Sequence, residues 1–152
     1  MVTLHLGVND LPYANAPRGM RARKVRSGQQ TTGDVAGWLE GRYGIMQAFF
    51  DRKQDQIVDE LGKSVVGSLE SMLMGAPPRL NPFAAGASEI EDMFKQFLST
   101  KEVERVGLPG VPTQAALRGV DHRKKRPYAR RPARPSFIDT GLYFANFRAW
   151  VD

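Results

Sequence analysis

Apolar residues recur at threes and fours along one stretch of this chain: Val35, Leu39, Tyr43, Met46, Phe50, Ile57, Leu61, Val65, Leu69, Met72 and Leu73. That period marks an amphipathic helix with one apolar stripe, carried for about ten turns. Thr31 and Asp34 stand three apart at its start, the spacing of a capping box with Asp in the acidic place. Gly75-Ala76-Pro77-Pro78 closes it, because glycine and then proline follow a helix C-terminus. Unbroken, such a helix is about 60 Å long, against about 30 Å for the diameter of a small domain. A chain of 152 residues cannot cover that stripe with the rest of itself. Gly41, Gly44, Gly62 and Gly67 interrupt the run, each costing about 1 kcal/mol relative to Ala. The expectation is a break near Gly62, or partner subunits over the remainder.

The flanking segments read differently. Val2, Leu4, Leu6 and Val8 alternate with Thr3, His5 and Gly7, the period of two that predicts a short strand. Asn9-Asp10-Leu11-Pro12 follows as a turn. Ser88 and Glu91 suggest a second capping box, ahead of a short amphipathic helix carrying Ile90, Met93, Phe94, Phe97 and Leu98. Pro109 to Pro112 reads as a turn, and Thr113 as the cap of a two-turn helix ending near Gly119. The last residues are crowded with Phe137, Ile138, Leu142, Tyr143, Phe144, Phe147, Trp150 and Val151. Chain ends are poorly ordered unless something ties them down, so this one is expected to dock. Asp139, Thr140 and Gly141 form the turn before it, with Gly141 the residue that a positive φ would require. Phe147, Ala149 and Val151 then alternate as a terminal strand able to pair with the first. The expected fold class is α+β, with residues 1–152 a single domain. One long and one or two short helices pack on a small sheet that includes the N- and C-terminal strands.

Charge divides the chain. From Asp34 to Glu104 there are twelve acids and seven bases. Before that stretch, Arg18, Arg21, Arg23, Lys24 and Arg26 lie in a loop or arm over 14–33 that has no apolar period. After it, Arg118, Arg123, Lys124, Lys125, Arg126, Arg130, Arg131 and Arg134 are diluted only by Asp121, in a proline-rich loop or arm over 118–135. The loop VDHRKKRPYARRPARP, with three prolines, is expected to be no part of the core. Clustered cations attract phosphates or carboxylate-rich surfaces. No helix-turn-helix or zinc-finger spacing accompanies them, so base-specific reading is not expected.

A search for chemistry finds no catalytic set. His5 and His122 are the only histidines. His5 lies in a strand without an acid at triad spacing, and His122 sits in a basic run that disfavours a metal. Asp51, Asp55 and Asp59 share a helix face, which a divalent cation could bridge. With Arg52 and Lys53 beside them, a solvated face is the ordinary reading. No phosphate-loop motif follows Gly107-Leu108-Pro109-Gly110. No enzyme, cofactor or metal is expected. The absence of cysteine fits a reducing compartment. The first residues lack a secretion signal, no run approaches a membrane span, and a cytoplasmic, membrane-free setting is expected.

PSFIDTGLYFANFRAWVD resembles the C-terminal signature of small virion proteins of tailed bacteriophages, in which a proline-preceded Asp-Thr-Gly-Leu turn leads into a final strand. TTGDVAGWLEGRYGIMQAFF is similar to a helix start in the same proteins, the neck or tail-completion family of the head–tail connection. The resemblance implies a structural, non-catalytic α+β subunit of a ring. It would be assembled in the host cytoplasm and sit at the neck or tail top of the virion, beside portal-side and tail proteins, with packaged DNA as a nonspecific contact of the basic arms. The family turn maps onto Thr140 and Gly141. Trp38, Tyr43, Phe49, Phe50, Phe147 and Trp150 are the candidates for contact between subunits. The other reading is an accessory protein that grips nucleic acid through the basic arms.

Overall fold

The structure, a computed structural model, describes residues 2–11, 31–121, 124–139 and 141–152. Its elements run β1 (Leu4–Val8), α1 (Thr32–Tyr43), α2 (Ile45–Leu73), α3 (Ala84–Ser99), α4 (Glu102–Arg105), α5 (Gln114–Leu117), α6 (Leu142–Ala145) and β2 (Phe147–Val151). The fold is α+β, with one long helix and a two-stranded sheet of the N- and C-terminal strands. β1 and β2 pair antiparallel, with Leu4 opposite Val151 and Val8 opposite Phe147. Thr3 and Asp152 exchange two further backbone bonds at the open end. This is the pairing that the two alternating segments predict.

The helical run does break, but at Gly44 rather than near Gly62. Gly44 takes a left-handed conformation with φ of 61° and donates its N–H to the Glu40 carbonyl. A side chain at that φ would be strained. The fresh N-terminus of α2 lacks a capping side chain of its own at Gly44. Glu40 fills that role from the last turn of α1: its carboxylate accepts from the Met46 N–H at 2.7 Å and the Gln47 N–H at 3.0 Å. A carboxylate there also faces the positive end of the helix dipole. Gly62 lies inside α2, which runs as one helix from Ile45 to Leu73, and nothing stands within 4 Å of a Cβ built on it.

Other local signals hold. Thr31 caps α1 in a complete capping box with Asp34, and Thr113 caps α5 by accepting from the Ala116 N–H, although α5 is four residues ending at Leu117 rather than two turns ending near Gly119. The proposed box at Ser88 and Glu91 does not form. α3 starts earlier, at Ala84, after Asn81 has accepted a bond from the Phe83 N–H. Ser88 is thereby an interior helix position. Glu91 reaches across to β2 instead, accepting from the Arg148 guanidinium at 2.9 Å and the Ala149 N–H at 3.2 Å.

The core gathers where α2, α3 and the sheet meet. Phe49, Phe94, Phe97, Phe147, Ile45, Ile57, Ile90, Leu98 and Val103 are sealed from solvent. Full burial of side chains of this size contributes about 1.5–3 kcal/mol each. The rings of Phe49 and Phe94 meet edge to face at 5.2 Å, a preferred aromatic geometry. Gly86 lets α3 approach α2 closely: a Cβ there would stand 2.8 Å from the Glu60 carbonyl oxygen. Ser64 donates to the Pro82 carbonyl at 2.7 Å and ties the link between the two helices to α2. The N-terminal strand is stitched to α1 through Asp10, which accepts from the Gly33 N–H, and through Thr32, buried, which accepts from the Leu11 N–H and donates to the Asn9 carbonyl.

Candidate functional site

α2 outruns the core that α3 supplies. Its far half carries apolar residues on two sides. One side, Ile57 and Leu61 with the hydroxyls of Ser64 and Ser68, faces α3 and the chain leading into it. The other side is Val58, Gly62, Val66, Leu69 and Leu73, at steps of four, four, three and four. These residues are bare: Val58 is 64%, Leu69 53% and Leu73 89% exposed. Met74 and Leu80, in the link to α3, extend the apolar surface beyond the helix end. Asp59, Lys63 and Glu70 edge the shallow groove around Gly62 and Gly67. Lys63 is held by Asp59 at 2.7 Å and Glu60 at 2.8 Å, and these two carboxylates, Asp59 first, push its pKa up.

Sequence reading merged the two sides into one stripe and missed Val58 and Val66. The signal was present, since Val58, Gly62 and Val66 stand at i, i+4 and i+8. The aromatic candidates for subunit contact divide. Phe49 and Phe147 are corrected: both are fully buried inside this chain, where they build the core and offer nothing to a neighbour. Phe50 is half-buried against that core, and Tyr43 is half-buried with its ring edge-on to Phe137 at 5.1 Å. Trp38 is 60% exposed on α1. Trp150 lies partly exposed along β1, stacked on His5 with centroids 5.3 Å apart. His5 also meets the Asp152 carboxylate at 2.8 Å, an acid that the search for triad spacing passed over.

The basic segments fare unequally. Arg18, Arg21, Arg23, Lys24 and Arg26 lie outside the described residues, as do Arg123 and Thr140. The loop 118–135, read as no part of the core, is tied into it at its base. Val120 is buried, the Val120 N–H bonds to the Ala115 carbonyl, and the Arg134 N–H bonds to the Ala116 carbonyl. Arg134 turns inward rather than toward a partner. It donates to the Val120 carbonyl at 2.6 Å and the Ile138 carbonyl at 2.8 Å, and lies 3.5 Å from the Asp139 carboxylate. Arg131 likewise donates to the Arg126 and Pro127 carbonyls. Arg118, Lys124, Lys125, Arg126 and Arg130 face solvent. Gly141 takes φ of 82° and starts α6, as the turn before the terminal strand requires.

One cleft, of about 360 Å³, opens between α1 and the 134–141 segment and is lined by Val35, Leu39, Phe137, Arg134 and Tyr143. The Tyr143 hydroxyl has no hydrogen-bond partner among the described residues, and burial pushes its pKa up, with Glu40 adding to the shift. Among the described residues no cluster of His, Cys, Asp or Glu could hold a metal ion, and no helix is long and apolar enough to cross a membrane. No protein-family model, curated protein or solved structure matches the chain.

Proposed function

We propose that this chain is a structural subunit of a tailed-phage virion, at the neck or tail top, which works by joining its own copies into a ring between head-side and tail-side proteins. The bare stripe Val58–Gly62–Val66–Leu69–Leu73 carries the assembly part of this reading. Scattered exposed apolar residues need no explanation, but a continuous apolar surface marks an interaction site. A ring closes through heterologous contacts, one face of a subunit on a different face of the next. Trp38 on α1 and Trp150 on β2 supply exposed apolar surface away from the α2 stripe. The likeness of residues 31–50 and 135–152 to tail-completion proteins supports the virion location.

Light scattering of chromatographed protein over a range of concentrations tests the assembly. The expected species is larger than the 16.9 kDa of one chain, and Val66→Glu with Leu69→Glu returns it to a single chain with its helix content intact. Labelling the chain in purified particles tests the location, with signal expected between portal and tail tube. A monomer at every concentration and salt, absent from such particles, overturns the reading.

A further inference from the structure

We propose that Lys124, Lys125, Arg126 and Arg130, held on the described part of the loop between Arg118 and Arg134, are a preformed grip for the sugar–phosphate backbone of nucleic acid, whether or not the chain works in a virion. The described residues of that loop form a compact surface feature whose ends meet and whose own groups pack it. Its neck is closed by the Arg131 N–H on the Arg118 carbonyl and the Arg134 N–H on the Ala116 carbonyl. Gly119, at φ of 64°, is pressed against the far side, so that a Cβ would stand 2.5 Å from the Pro132 carbonyl oxygen. Within the loop, the Asp121 N–H reaches the Pro127 carbonyl and the Lys124 N–H the Asp121 carbonyl.

Two of its cations, Arg131 and Arg134, are spent on backbone carbonyls. That bracing gives the others a fixed platform. Lys124, Lys125, Arg126 and Arg130 are exposed on it. Eight basic side chains stand against one acid over 118–134. Tyr128, 78% exposed, presents a ring among them. Protein interface cores are depleted in lysine and anchored by apolar or aromatic side chains. Here Val120 is buried, and among the described residues of the loop no aliphatic anchor faces outward. Exposed cations on a braced platform suit the phosphates of nucleic acid, and such contact tolerates any sequence.

The test is fluorescence anisotropy of the full chain with a short random-sequence duplex and with the matching single strand, using polyglutamate as the acidic-protein probe. The replacement Lys124→Gln, Lys125→Gln, Arg126→Gln and Arg130→Gln, made together, removes the outward cations. Between about 50 and about 200 mM salt the native chain should show a log–log salt slope steeper than this variant by about 3 to 4, four phosphates at about 0.9 each. Arg131→Lys keeps the charge but loses the planar fork, and should weaken binding severalfold at an unchanged slope. Equal slopes for the native chain and the fourfold variant, no binding at the lowest salt, unchanged affinity in Arg131→Lys, or polyglutamate bound as tightly as DNA would each overturn the proposal.

Discussion

The ring of Phe94 on α3 lies flat on the ring of Phe147 on β2, with centroids 3.8 Å apart and planes within 16° of parallel. Phe147 also meets Phe49 of α2 at 6.4 Å. The terminal segment is thus a wall of the core rather than an appendage, which explains its aromatic content. Truncating a buried Phe to Ala costs about 3–5 kcal/mol, a large part of the roughly 5–15 kcal/mol that holds a domain together. Phe147→Ala should move the urea midpoint down sharply, and removal of residues 136–152 should abolish folding. A soluble truncation with native helix content would contradict this account of the tail.

Glu91 fastens the same strand from outside the aromatic cluster. Its two oxygens serve Arg148 and the Ala149 N–H. In Glu91→Ala, Arg148 is exposed enough to return to water, but the Ala149 amide sits on a buried residue. Leaving a buried donor unmade costs about 1–3 kcal/mol. Denaturation should show that loss, and hydrogen exchange should speed up more at the Ala149 amide than at an amide inside a core helix, such as that of Phe94.

Much of this architecture is legible in the residues. The alternation of Leu4, Leu6 and Val8, the Thr31–Asp34 box, the Thr113 cap and the Gly141 turn are local signals, and the local backbone obeys them. What sequence conceals is set by distance. The Gly44 break depends on Glu40 reaching over to cap α2, a reach that the run of four glycines does not show, so the expected break falls near Gly62 instead. Glu91 abandons a capping role for a strand 57 residues on. Phe49 and Trp38 look alike in an apolar pattern, and only the packing of α3 and β2 makes one core and the other surface. For the same reason Arg134 and Arg130 look interchangeable in sequence, although one braces the loop and the other faces water.

The stitch between β1 and α1 should loosen in acid. The Thr31 hydroxyl, and then the Gly33 amide, hold the Asp10 carboxyl below its ordinary value of 3.8. A carboxyl depressed in the folded state contributes stability above its unfolded pKa and loses it as pH falls through the folded value. The difference in melting temperature between the native chain and Asp10→Asn should therefore be full at neutral pH and shrink below pH 3.8. A gap that persists unchanged into strong acid would remove the ionised carboxylate from the explanation.

Two helical glycines should answer alanine with opposite signs. At Gly86 the new methyl would sit 2.8 Å from the Glu60 oxygen and 3.0 Å from the Leu61 Cα, both backbone atoms that cannot rotate away. α3 must then back off from α2, and overpacking of this kind costs about 1–3 kcal/mol. At Gly62 nothing lies within 4 Å, so Gly62→Ala gains only the helix propensity of about 1 kcal/mol. Measured by urea denaturation at concentrations low enough to keep copies apart, Gly86→Ala should destabilise and Gly62→Ala should stabilise. At high concentration the Gly62 variant carries its methyl in the middle of the bare stripe between Val58 and Val66. Its association, read by light scattering, should then weaken even though its folded state is the more stable one, which separates a surface made for a neighbour from one that is merely exposed.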